Sequence, residues 1–174
     1  NQTRFPPRKK TLDGKRAPQP PPLAVDRKEM EIYTLLIRLP LYSILVGNDE
    51  WERTIEIPAT DSLYDLHSYI QNIVGFDDDH VYMFFAGRSY TNKKILYSES
   101  VANPYDSGNY GNVLLNEVYP LKGLKLYYIF DFGDNWVFEI KKMRKKKTAQ
   151  EDIKYPRVIE STGKNPDQYR DWAC

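Results

Sequence analysis

Apolar and polar residues alternate along several short stretches of this chain, and in one stretch the apolar positions recur at helical spacing instead. Tyr33, Leu35, Ile37 and Leu39 share one face, Thr34 and Arg38 fall on the other, and Pro40 ends the run. That alternation predicts a half-buried strand beginning near Glu31. A second strand is predicted where Trp51, Arg53, Ile55 and Ile57 alternate with Glu52, Thr54 and Glu56, and Gly47-Asn48-Asp49 supplies turn residues between the two. Leu63, Leu66, Ile70, Ile73 and Val74 repeat at helical intervals. Thr60, Asp61 and Ser62 offer caps, Ser62 to Asp65 resembles a capping box, and Gly75 stands where a helix-ending glycine belongs. A helix over about 61–74 follows, then an acidic loop Asp77-Asp78-Asp79-His80 and a strand Val81–Phe85.

The densest aromatic pattern lies at 126–140, which predicts a hairpin turning at Gly133-Asp134-Asn135. A three-residue loop pairs Phe132 with Trp136, Phe130 with Phe138 and Tyr128 with Ile140, making one face a continuous apolar wall. It also sets Asp131 opposite Val137 and Ile129 opposite Glu139. A two-residue loop would place Asp131 beside Trp136 and mix the faces, so the three-residue register is expected. Asn135 can take the left-handed conformation that closes such a loop.

Other stretches carry weaker patterns. Residues 86–120 are punctuated by Asn103-Pro104, Ser107-Gly108-Asn109 and Gly111-Asn112 and predict a long irregular loop, with a short helix or strand at Val113–Val118. The tail, with Tyr155-Pro156-Arg157 and Asn165-Pro166-Asp167, is expected to be irregular and laid over the domain surface. The element order makes the fold class α+β: a mostly antiparallel sheet with one main helix (about 61–74) packed on a face.

Composition sharpens this picture. The chain has 174 residues with 14 Tyr, 7 Phe and 3 Trp, enough for one aromatic core. Residues 1–30 carry Pro6, Pro7, Pro18, Pro20, Pro21 and Pro22 among Arg8-Lys9-Lys10 and Lys15-Arg16, which predicts a flexible basic arm, with a polyproline run at 18–22. Residues 31–174 are expected to form a single domain. The net charge of +1 hides a segregation: 1–28 sum to +6, 29–140 to −10, 141–147 to +6 and the remainder to −1. The one cysteine, Cys174, permits no internal disulfide and fits a reducing compartment. No apolar run approaches the roughly 20 residues of a spanning helix, and no secretory leader is evident, so a cytoplasmic protein without a membrane role is expected. A start at Asn1 is compatible with a fragment of a longer protein.

Three sets of residues can carry chemistry. Asp131, Asp134 and Glu139, with His80, are candidate catalytic residues, because paired carboxylates can hold a divalent metal for phosphodiester chemistry. The competing expectation is structural: Asp134 bonding its own turn, Asp131 capping a strand end, Glu139 pairing with Lys141 or Arg53. His67, His80 and Asp78 are candidate metal ligands, since two imidazoles and a carboxylate suit a transition metal. Their spacing matches no compact motif, so a buried histidine bonded to a carboxylate such as Asp131 is the simpler expectation. The third set is Lys141, Lys142, Arg144, Lys145, Lys146 and Lys147, with Arg8, Lys9 and Lys10. It is expected to contact nucleic acid or an acidic protein surface. No glycine-rich phosphate loop is present, which argues against nucleotide hydrolysis.

Two strings carry a resemblance. Leu66-His67-x-x-Ile70-Gln71 with Gly75-Phe76-Asp77-Asp78-x-His80, and Tyr128-x-x-Asp131-Phe132-Gly133-Asp134-x-Trp136-x-x-Glu139-Ile140, resemble the plasmid pRiA4b Orf-3-like family, and Tyr155-Pro156-Arg157 is similar to a weaker third element. The resemblance covers roughly 31–170 and implies an α+β domain of plasmids and mobile elements, with no established activity. Some relatives carry a transposon resolvase-type label, yet no activated serine among arginines is evident here. Relatives commonly have Trp at Phe76, His at Tyr82 and Phe138, and Cys at Asn165. If those side chains form a polar or metal cluster in relatives, this chain has lost much of it. The expected function is therefore a non-enzymatic interaction module, needing no cofactor, that binds nucleic acid or an acidic protein through its basic segments. One alternative is a metal-dependent enzyme acting on nucleic acid; another is an adaptor or antagonist using the acidic face.

Overall fold

A computed structural model describes residues 29–40, 50–97 and 110–169. The basic arm with Arg8, Lys9 and Lys10, the turn at 47–49, most of the punctuated loop (98–109) and Cys174 lie outside the described residues.

The strands are β1 (Glu31–Leu39), β2 (Trp51–Pro58), β3 (Tyr82–Ser89), β4 (Asn92–Leu96), β5 (Lys125–Phe130), β6 (Trp136–Lys142), β7 (Lys147–Thr148) and β8 (Arg157–Thr162). They form one antiparallel sheet in the order β4-β3-β5-β6-β1-β2-β8, with β7 also paired to β1. The main helix is α1 (Leu63–Val74), and a single turn, α2 (Leu115–Val118), lies near its start. The expected α+β architecture is what the structure shows.

Local chemistry fixes the ends of α1. Ser62 Oγ accepts from the Asp65 amide at 3.1 Å, and the Asp65 carboxylate accepts from the Ser62 amide at 2.8 Å, which satisfies two donors that a helix start leaves open. Gly75 closes the helix at φ 77°, its amide donating to the Gln71 carbonyl. Leu63, Leu66, Ile70 and Val74 then meet the inner sheet face, built from Tyr33, Leu35, Ile37, Trp51, Ile55, Phe84, Tyr128 and Phe138. Phe85, Tyr127, Ile129 and Val137 make a smaller cluster on the outer face.

The aromatic hairpin is β5 and β6, and its register differs from expectation. Phe130 pairs with Trp136, Tyr128 with Phe138 and Leu126 with Ile140, so the loop is Asp131–Asn135 and Phe132 lies within it. Ile129 faces Val137, and Tyr127, not Ile129, faces Glu139. The slip is two residues, and an even slip leaves the side chains that stay in the strands on their expected faces, whereas Phe132 now packs against the outer-face cluster. Asp131 drives it. At φ 56° it turns the chain early, its amide donates to the Val81 carbonyl, and its carboxylate accepts from the Gly133 amide at 2.9 Å. Asn135 is left-handed as expected, at φ 57°.

Two further corrections concern regions expected to be irregular. β3 runs on to Ser89 and turns into β4, and the short helix at 113–118 is α2. In the tail, β8 pairs with β2 as an edge strand. Ile55 pairs with Val158 and Thr54 with Glu160, so Ile159 is the extra residue of a bulge.

Candidate functional site

The acidic candidates separate. Asp131 sits in the hairpin turn, where its carboxylate serves the Gly133 and Asp134 amides. Asp134 lies exposed in the same turn. Glu139 lies on the outer face of β6, 3.0 Å from both Arg38 and Lys125, so its partners are neither Lys141 nor Arg53. His80 Nε2 stands 3.5 Å from Asp131 and 3.6 Å from Asp79. Asp79 in turn takes bonds from the Tyr169 hydroxyl and the Gln168 amide, and the Tyr169 bond leads in lowering its pKa. Among the described residues no group of three His, Cys, Asp or Glu side chains is placed to hold one metal ion.

His67 is buried, and its carboxylate is Asp78 rather than Asp131. Nε2 lies 2.7 Å from Asp78, Nδ1 lies 2.7 Å from the Tyr128 hydroxyl, and the ring stacks on Tyr82 at 3.5 Å. Gln71 donates to the Tyr128 hydroxyl at 2.9 Å and accepts from the Asp78 amide at 3.1 Å. Because Tyr128 already accepts from Gln71, its proton goes to Nδ1 of a neutral ring, which leaves the Nε2 proton for Asp78. A tyrosine–histidine–aspartate line suggests a relay, but its hydroxyl end is fully buried and its carboxylate end is the exposed one. It ties α1 to the sheet. Tyr82 and Phe138 both pack against Tyr128.

A buried histidine and a half-buried aspartate give this region a pH dependence with opposing signs. Burial pulls the His67 imidazole below its usual value, against the pull of Asp78. Burial, helped by Asp65, pushes the Asp61 carboxyl up to about 6. The unfolded chain takes up the His67 proton first, so that contribution to stability is complete above about pH 6.5 and is lost as pH falls. The folded chain holds the Asp61 proton more tightly, so that contribution is complete below about pH 4 and is lost as pH rises through 6. Urea unfolding from pH 5 to 7.5 should show His67→Gln lacking a stability rise toward neutrality that Asp61→Asn retains. Parallel curves for the two variants would contradict this.

The basic run has split duties. Lys142 places its ammonium 4.5 Å from the Tyr33 ring centroid. Lys147 pairs with the buried carboxylate of Glu56, which Arg157 also reaches at 2.7 Å. Burial alone would raise the Glu56 pKa, but the two cations win and hold it low. Lys141, Arg144, Lys145 and Lys146 are exposed. Lys141 and Arg144 border a cleft of about 610 Å³ on the outer sheet face, whose other walls are β1 and the 119–125 loop. Arg38, Lys122, Lys125 and Lys142 also line it, and Glu139 is its one acidic lining residue among those described. Arg38, Lys122 and Lys125 were missed as binding candidates because they are isolated in sequence. The polar-face position of Arg38 in β1 was the only signal.

Among the described residues no helix is long and apolar enough to cross a membrane. The chain matches the profile of the family described as plasmid pRiA4b ORF-3-like protein over residues 34–169. Among curated proteins no sequence matches it. A crystal structure of a protein of unknown function from Methanosarcina mazei Go1 is similar in fold, with a TM-score of 0.60 and 21% identity, covering 79% of this chain and 72% of that one.

Proposed function

The chain belongs to the plasmid pRiA4b ORF-3-like family, and from that premise we propose that it is a non-enzymatic binding module that holds an anionic macromolecule in the outer-face cleft. One observation carries the reading. Arg38, Lys122, Lys125, Lys141 and Arg144 surround a single concavity whose lone carboxylate among the described residues, Glu139, is already matched by two of them. Like charges gathered around a cleft raise the local potential and draw in an oppositely charged partner. A role in a plasmid or other mobile element belongs to the same proposal and is supported by the family description.

Fluorescence anisotropy of the full chain with labelled single-stranded DNA, duplex DNA, RNA and an acidic peptide, each across a salt series, tests the reading. At least one probe should bind with an affinity that falls as salt rises. For a nucleic-acid probe, the double variant Lys141→Glu/Arg144→Glu should reduce the salt slope by about two. Glu139→Gln, which releases Arg38 and Lys125, should tighten binding. A flat salt response, or binding lost only when Arg8, Lys9 and Lys10 are reversed, would remove the cleft from the function.

A further inference from the structure

The cations of this cleft stand around an aliphatic floor, and that combination selects among anions. Leu36, Leu121 and Leu124 are half-buried and Met143 is exposed. Among the described residues the only aromatic one lining it is Tyr119, whose ring is engaged edge-on with Tyr33 at 5.8 Å. Single-stranded nucleic acid gains much of its affinity by stacking bases on exposed aromatic faces. Among the described residues no such platform lines this cleft. Aliphatic side chains instead favour apolar groups that leave water, and ammonium and guanidinium groups favour carboxylates. The molecule itself shows the second preference, since the Glu139 carboxylate lies 3.0 Å from both Arg38 and Lys125.

We infer that the occupant of the cleft is a short acidic protein segment that lays leucine-like side chains on Leu36, Leu121, Leu124 and Met143 while its carboxylates meet Lys141, Arg144 and Lys122. This rests on the proposed anion-binding role and narrows its partner to one class. An extended segment sends successive side chains to opposite sides, so alternating acidic and aliphatic residues present one apolar edge and one charged edge. The volume of about 610 Å³ lies in the range of sites for small ligands, which limits the contact to a few residues. A second cleft of about 390 Å³ shares Leu36 and Met143 and runs on toward β2 and β8, where Glu52 and Glu160 join Lys145 and Lys147. The second cleft thus mixes both charges, and the segment's acidic residues belong in the first.

The experiment uses the full chain and three labelled probes of equal charge: an alternating Glu-Leu peptide of about twelve residues, roughly 40 Å when extended, the matching Glu-Ser peptide, and a single-stranded oligodeoxythymidylate. The Glu-Leu peptide should bind about tenfold more tightly than the Glu-Ser peptide, as expected from burying one leucine. Leu124→Ser should erase that preference, and Lys141→Glu/Arg144→Glu should weaken both. Equal binding of the two peptides would overturn the inference. Tighter binding of the oligonucleotide would overturn it too, while leaving an anion-binding cleft in place. Salt-sensitive self-association in sedimentation, competing with the peptide, would replace the segment by a second copy of the chain. Failure of all three probes to bind would overturn both the inference and the function on which it rests.

Discussion

Replacing Phe138 by alanine is expected to lower the unfolding free energy by about 3–5 kcal/mol, the usual cost of emptying a buried aromatic site. Phe138 is fully buried at the centre of β6, paired across the hairpin with Tyr128. Its ring meets Trp51 edge-on at 5.6 Å, tilts against Tyr128 at 5.6 Å and approaches Phe76 at 6.4 Å. Those neighbours come from β2, β5 and the end of α1, so the space left behind cannot be closed by moving one element. For a chain of this size the loss corresponds to a fall in Tm of roughly 6–20 °C. Phe138→Leu, which keeps most of the volume, should cost less than about 1.5 kcal/mol. Thermal and urea unfolding measure both, and similar losses for the two variants would show that this site is not packed as described.

The second large effect is expected at Gly163, where alanine should cost about 3 kcal/mol. The residue has φ 77°, and a Cβ there would stand 1.7 Å from the Glu50 carbonyl oxygen and 3.3 Å from the Trp51 Cα. Backbone strain accounts for about 1 kcal/mol of this. The rest comes from what must move. Arg53 donates to the carbonyls of Thr162 and Gly163 and to Asn165 Oδ1, which also accepts from the Trp51 indole at 2.9 Å. Pushing the turn away strips acceptors from a nearly buried guanidinium, at about 1.5–3 kcal/mol for a charged donor. β8 should loosen from β2, exposing the chain around 157–169 to proteolysis. Gly123→Ala is the control, because φ is 90° there but nothing lies within 4 Å of the added carbon. Equal effects of the two substitutions would leave strain as the whole cause.

These two sites mark the two ways in which the sequence was readable. The hairpin aromatics announced an apolar wall, and Phe138 is in it. The register did not follow, because a shift of two residues preserves the faces and the hydrophobic pattern is blind to it. What decided the register was Asp131 bonding its own turn, a choice open equally to Asp134. β8 went unread for a related reason: Val158 and Ile159 are adjacent, which breaks alternation, and only the bulge against Thr54 and Ile55 reconciles them with a strand. β4, Asn92-Lys93-Lys94-Ile95-Leu96, is exposed along its whole length and carries no buried pattern to detect.

The candidate sites divide in the same way. Charge along the chain disclosed the basic run, and helical spacing placed His67 near the core. That Asp78, and not Asp131, meets His67 depended on Asp78 taking φ 52° after the helix. The cleft was invisible, since Arg38 and Glu139 are 101 residues apart and meet only because β1 lies beside β6. The sequence by itself determined the α+β class, the capped helix, the faces of the strands and the sign of the charged segments, because these depend on residues within a few positions of one another. Tertiary structure alone decided the hairpin register, the edge strand, the partners of the buried histidine and the cationic cleft. Each of those requires backbone pairing or side-chain approach between distant segments, which local periodicity does not encode.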